Sequence, residues 1–279
     1  MWVPNKAVSL ALSTHPGPSV AVSLVAIGLG IGLGLDPLRL AILGLAILLN
    51  QASVGLSNDW IDAERDTAVG RTDKPVALGH ISIATVRATA FVTAILAILL
   101  AWSLGPLALL AQAVFIASAW SYNLGLKNTP LSVLPYVLSF GLLPMIVTLS
   151  LPIPAFAAPW ALGLGALLGV AAHFANVLPD LDDDERTGIS GLPHRLGRRA
   201  SGVVIYVALS AAAALAFFGP TGDTTALQWI GLVFTLLLAV AIAIVLRRPP
   251  SRLLFQLIIA AAIVNVVLLS FSGERVLLH

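Results

Sequence analysis

Asn58-Asp59-Trp60-Ile61-Asp62-Ala63-Glu64-Arg65-Asp66 follows directly on a long apolar run, and Asn176-Val177-Leu178-Pro179-Asp180-Leu181-Asp182-Asp183-Asp184 does the same later in the chain. Each reads Asn, three residues, Asp, three residues, Asp. Steps of four residues on an α-helix drift by about 40° each. Asn58, Asp62 and Asp66 therefore share one helical face, and Asn176, Asp180 and Asp184 share another. The two sets lie 118 positions apart throughout, and a basic stretch follows each. A solvated acidic connector is the plain reading of either stretch alone. The matched spacing favours an internal duplication of a helix with an acidic extension. Asp59, Glu64, Asp182 and Asp183 point off these faces and read as solvated or outer acids.

The rest of the chain says where these faces sit. Of 279 residues, 58% are hydrophobic and 10% charged, against roughly 25% charged in a soluble domain. Apolar runs at 17–35, 39–57, 84–104, 106–122, 132–150, 155–178, 200–218, 226–246 and 252–271 are each near the length that spans a bilayer. The expectation is an all-α integral membrane bundle of about nine transmembrane helices, forming one domain over residues 1–279. Short Gly- and Pro-containing links, such as Leu151-Pro152-Ile153-Pro154, suit antiparallel neighbours. The absence of cysteine excludes disulfides and thiolate metal sites. A net charge of +2 does not indicate a nucleic-acid partner. Met1 to Pro16 lacks a clear small-residue cleavage site, so no removable signal peptide is expected.

With nine spans and a cytoplasmic N-terminus, thirteen Lys and Arg fall on the cytoplasmic side, and only Arg39 and Arg275 on the other. That is a strong positive-inside asymmetry. Ten of the thirteen acids lie in the loops after the second and sixth spans, so both acidic repeats face the cytoplasm. A prokaryotic plasma membrane is the expected location.

Carboxylates with few other ligand types favour Mg²⁺, which keeps waters and accepts phosphate oxygens. Scarce histidine and absent cysteine argue against zinc or copper. Paired acidic clusters that hold a diphosphate through Mg²⁺ neutralise the leaving group, so that its carbon–oxygen bond ionises.

The two Asn–Asp repeats in a nine-helix pattern resemble the UbiA superfamily of intramembrane prenyltransferases. The resemblance covers essentially the whole chain. Arg71-Thr72-Asp73-Lys74-Pro75, Leu78-Gly79-His80-Ile81-Ser82 and Tyr122-Asn123-Leu124-Gly125-Leu126-Lys127 add weaker support. It implies a central cavity open to the membrane, capped on the cytoplasmic side by the loops after helices two and six. It also implies an isoprenyl diphosphate held by Mg²⁺ at Asp62, Asp66, Asp180 and Asp184, and a lipophilic acceptor, aromatic by expectation, that captures the allylic cation. Asn58, Asn176, Arg71, Lys74, Tyr122 and Lys127 are the expected substrate-binding residues, the basic ones clamping the diphosphate. Where family members often carry Arg before Pro, this chain has Lys74, which keeps the charge but loses the bidentate fork.

Other assignments stay open at this point. The basic residues read equally as headgroup anchors, and Trp60, Trp120, Tyr122 and Phe174 as interfacial aromatics instead of cation-stabilising faces. His173 and His194 read as packing or capping groups. A terpene cyclase on the same scaffold needs the same acids. A cation transporter is the rival from another class, although no span carries a charge near its middle.

Overall fold

The computed structural model describes residues 5–179, 181, 188–245 and 252–278. Eleven α-helices occur among them: α1 Lys6–Ser13, α2 Pro16–Gly32, α3 Pro37–Ile61, α4 Ala63–Ala68, α5 Ile83–Leu104, α6 Pro106–Asn123, α7 Leu134–Leu149, α8 Pro159–Val177, α9 Leu192–Phe218, α10 Ala226–Val245 and α11 Arg252–Ser270. Leaving out the short α1 and α4, the nine longer helices coincide with the nine apolar runs. Four of them, α3, α5, α8 and α9, are long and apolar enough to cross a membrane by length and composition. The α1–α2 pair, bent by 58°, makes a fifth.

Helix starts follow local chemistry. Proline occupies the first turn of α2, α3, α6, α7, α8 and α9, where its missing N–H costs no hydrogen bond. The Asp36 carboxylate accepts from the amides of Leu38 and Arg39, and the Ser82 hydroxyl accepts from that of Thr85. Between α5 and α6 a single residue, Gly105 at φ 138°, makes the turn, a backbone angle that favours glycine.

Consecutive long helices pack on one another, and α11 returns to pack on α2, closing a ring. Small residues set the closest approaches. A Cβ on Gly165 would lie 2.3 Å from the Phe140 carbonyl oxygen, and one on Gly169 would lie 2.4 Å from that of Tyr136. This Gly-x3-Gly spacing lets the α7 and α8 backbones touch, as membrane helices do when lipid gives no hydrophobic drive. Large apolar side chains such as Leu24, Ile31, Phe91, Ile95, Leu110, Val207 and Leu237 face outward, as a lipid-facing surface requires.

The two ends of the bundle differ. One gathers α1, α4, the loops after α4 and α6, and residues 188–191. The other gathers the 33–36 turn, the 150–158 loop and the C-terminal residues, where the Leu278 amide donates to the Phe156 carbonyl and that of Ala158 to Val276. Arg39 lies at this second end, donating to the Leu104 and Ser150 carbonyls, as does Arg275, whose carbonyl accepts from Trp160. The lysines and arginines of the motif region lie at the first end. Among the described residues, these basic side chains are thus divided between the two ends as the sequence suggests.

Candidate active site

The first repeat sits where α3 ends. α3 stops at Ile61, Asp62 forms the joint at φ −86° and ψ −2°, and α4 starts at Ala63. The Asp62 amide still donates to the Asn58 carbonyl at 2.9 Å, and that of Asp66 to Asp62 at 2.8 Å. The four-residue spacing thus survives the joint.

Around these residues the acids are matched with cations. Asp62 is 5% exposed; it accepts from the Asn58 amide at 3.0 Å, pairs with Arg65 at 3.0 Å and bonds the Lys127 ammonium. Asp66, 2% exposed, pairs with Arg65 at 3.1 Å and Lys74 at 2.9 Å. Lys74 also donates to the Asn58 carboxamide at 2.9 Å and lies 3.2 Å from Asp59. Lys74 and Lys127 therefore bind as compact charges to oxygens on several sides, a role that does not need the guanidinium fork. Burial is the largest influence on both ammoniums and lowers their pKa. For Lys74 the attraction of Asp59 and Asp66 outweighs it and holds the group above the ordinary lysine value. For Lys127 burial wins over Asp62 and the value falls.

A cavity of about 500 Å³ opens beneath this cluster. Asn58, Asp62, Arg71, Lys74, Tyr122, Lys127 and Asn176 all line it. Seven of the ten residues expected from sequence therefore surround one space, including one asparagine from each repeat. Asp66 is buried beside it without lining it. Asp180 and Asp184, like Asp182 and Asp183, lie outside the described residues. Arg71 binds Asp73 through two hydrogen bonds of 2.8 Å; Asp73 is held below the usual carboxylate range, chiefly by those bonds. The deeper walls are Val22, Val54, Phe115, Ala119, Phe140 and Ala172. Tyr122 packs edge-on against Tyr136, ring centres 5.2 Å apart.

Several expectations change. Asp59 is not solvated: it is 1% exposed, and its carboxylate takes the His15 imidazole at 2.9 Å as well as Lys74. His15 sits in the left-handed region at φ 51°, at the elbow between α1 and α2. Gly55 lets that elbow press on α3, since a Cβ there would lie 2.6 Å from the Thr14 carbonyl oxygen. Glu64 is exposed, as expected. Trp60 and Trp120 cluster with Phe91 at 5.1 to 6.1 Å instead of lining the cavity. Phe174 is 1% exposed in the core. His173 packs as expected, bonded to Ser132 at 3.0 Å, but His194 lines the cavity.

Arg65 and Asn123 were missed in the sequence. Arg65 had a local signal, because it lies three residues after Asp62 and next to Asp66. Asn123 stood in the Tyr122–Lys127 segment, with nothing there to set its role; it fixes Asn58 by accepting from its amide at 3.3 Å, while its own amide donates to Ser57 at 2.7 Å.

The model of the UbiA prenyltransferase family matches residues 19–268. The chain belongs to the UbiA prenyltransferase family. It is thus a membrane-embedded prenyltransferase by family. No curated protein matches it. Among solved structures, a UbiA homologue from Archaeoglobus fulgidus bound to GPP and Mg²⁺ matches with a TM-score of 0.71 at 14% identity, over 96% of this chain and 99% of that one. Digeranylgeranylglyceryl phosphate synthase matches with a TM-score of 0.69 at 17% identity, over 97% and 99%. An apo UbiA homologue from Aeropyrum pernix K1 gives 0.67 at 17%, over 95% and 97%. At these identities the likeness is one of fold, and it agrees with the UbiA ring of helices seen here.

Proposed function

We propose that this UbiA protein transfers an isoprenyl group from an isoprenyl diphosphate to a lipophilic, aromatic acceptor, using Mg²⁺ held by Asp62, Asp66, Asp180 and Asp184. The observation that carries the reading is that Asn58 and Asn176, one from each repeat, line a single cavity with Arg71, Lys74 and Lys127 at its charged end and apolar side chains beneath. The UbiA homologue from Archaeoglobus fulgidus that shares the fold binds GPP and Mg²⁺.

The described side chains fit such a metal by donor chemistry. Asp62 and Asp66 are buried oxygen donors already matched with cationic groups, so the pocket selects positive charge. Among the described residues no group of three or more His, Cys, Asp or Glu forms a metal cluster; the second repeat's acids complete the proposed set. Bound there, Mg²⁺ supplies neutralisation of the diphosphate, which lets the carbon–oxygen bond ionise.

The chain's own residues do the rest. Lys74, Lys127 and Arg71 take diphosphate oxygens as charge builds on them. The Asn58 carboxamide, fixed by Asn123, orients Asp62 and Lys74. The apolar walls keep water from the allylic cation, and the Tyr122 and Tyr136 ring faces stabilise it. The proposed orientation puts the acidic end in the cytoplasm and membrane lipid around the ring.

The test is mutation of the acids. Asp62→Asn, Asp66→Asn, Asp180→Asn and Asp184→Asn should each remove most turnover while the protein still purifies folded, and Asp182→Asn or Asp183→Asn should matter much less. Isoprenyl diphosphate binding should require Mg²⁺ or Mn²⁺. Full activity in Asp62→Asn or Asp180→Asn would end the two-cluster reading.

A further inference from the structure

The cavity contains polar groups that the acidic end does not use. Gln51 lies on the α3 face that carries Asn58, seven residues earlier, or about 10 Å deeper along the helix. Its carboxamide has no hydrogen-bond partner among the described residues. Ser139, on α7, lines the same cavity; it is 4% exposed, and its hydroxyl makes no hydrogen bond there. A helical serine commonly returns its hydroxyl to a carbonyl one turn back. Four residues before Ser139 the Pro135 carbonyl already accepts from Ser118 at 3.1 Å. Tyr136, one turn before Ser139, is held in ring contact with Tyr122, Phe140 and His173. Its own position is fixed by Gly169, against which its carbonyl packs.

Charge is distributed the opposite way. Among the described residues, the Asp, Glu, Lys and Arg side chains lining the cavity are Asp62, Arg65, Arg71, Asp73, Lys74 and Lys127, and all belong to the first motif or the loops after α4 and α6. None sits at the depth of Gln51 and Ser139.

We propose that Gln51 and Ser139, with Tyr136 beside them, form the acceptor subsite, and that it takes an uncharged lipophilic molecule bearing a hydroxyl or carbonyl oxygen. This rests on the prenyl-transfer reading above. A hydroxyl left buried and unpaired beside apolar side chains, as at Ser139, is unfavourable. A hydrocarbon tail passing it leaves that cost in place. A neutral oxygen relieves it, whereas a carboxylate or phosphate at this depth would lie buried without a cation. Gln51 offers both a donor and an acceptor, and the Ser139 hydroxyl does likewise, so either oxygen type is matched. In the transfer the donor C1–O bond breaks, with its electron pair leaving on the diphosphate. An acceptor electron pair then forms the new bond to C1, and the acceptor's proton passes to diphosphate or solvent.

The experiment uses purified protein with Mg²⁺ and geranyl diphosphate, and two matched acceptor pairs: 1-naphthol with 1-hydroxy-2-naphthoate, and methyl 4-hydroxybenzoate with 4-hydroxybenzoate. The neutral member of a pair should be prenylated in preference to its carboxylate. Gln51→Leu and Ser139→Ala should each raise the acceptor KM about tenfold, the scale of one lost hydrogen bond. Ser139→Thr, which keeps the hydroxyl, should stay near the native value. Mg²⁺-dependent affinity for geranyl diphosphate, measured on the same samples, should be retained and reports that the variants are folded. Preference for the carboxylates, an unmoved acceptor KM, or a parallel fall in geranyl diphosphate affinity would each overturn the subsite. If wild type prenylates the carboxylates but no neutral phenol, the subsite fails and the transfer reading stands. If it shows no Mg²⁺-dependent diphosphate release with any acceptor, the transfer reading itself fails.

Discussion

Replacing Lys74 with methionine tests whether the acidic end is balanced by its own cations. Methionine keeps most of the stem and removes the charge. Lys74 is 8% exposed and touches Asp59 at 3.2 Å, Asp66 at 2.9 Å and Asn58 at 2.9 Å. Removing one side of a buried ion pair costs roughly 3–5 kcal/mol. Here Asp59 keeps His15 and Asp66 keeps Arg65, so about half that, ~2 kcal/mol, is the expected loss. For a chain of this size that corresponds to roughly 4–8 °C in Tm. The pH behaviour follows from the raised Lys74 value. A group whose folded pKa is raised contributes fully below its ordinary pKa of 10.5 and loses that contribution only as pH climbs through the folded value. The penalty should therefore be flat between about pH 6 and 9. Mg²⁺ should stabilise the variant more than the wild type, because the competing ammonium is gone. Thermal unfolding of detergent-purified protein with and without Mg²⁺ measures both effects. A variant within ~1 °C of wild type, or Mg²⁺ that stabilises wild type more, would refute the reasoning.

Gly169→Ala should loosen the α7–α8 contact, because its Cβ would fall 2.4 Å from the Tyr136 carbonyl oxygen; a loss of about 1–3 kcal/mol is expected and read as a lowered Tm. A side-sensitive reporter fused after His279 should report the non-cytoplasmic side, and a cytoplasmic signal would undo the assigned orientation. Incubation with Mg²⁺ and isoprenyl diphosphates of several lengths but no acceptor should give little product. Efficient formation of a cyclic terpene under those conditions would favour the cyclase and leave the metal site standing.

What the sequence determined by itself is whatever depends on near neighbours in the chain. The long helices follow from apolar runs of bilayer length and prolines at their starts. The repeat's spacing is realised as hydrogen bonds from Asp62 to Asn58 and from Asp66 to Asp62. Loop charge anticipated which residues gather at each end. Periodicity names the residues that share a face, but it does not say which neighbour that face will meet. Asp59 looked solvated because its partner, His15, lies 44 positions away and is delivered by the α1–α2 elbow pressed against Gly55. Lys127 reaches Asp62 across 65 positions, between helices that only the closed ring brings together. Trp60 and Trp120 were as eligible for the cavity as Tyr122 until packing turned them toward Phe91. Gln51 and Ser139 carry no motif at all; they become notable only when folding brings both to one cavity and leaves the buried Ser139 hydroxyl without a partner among the described residues. Tertiary structure decided these points because desolvation and ion pairing act through space, over distances that sequence separation does not encode.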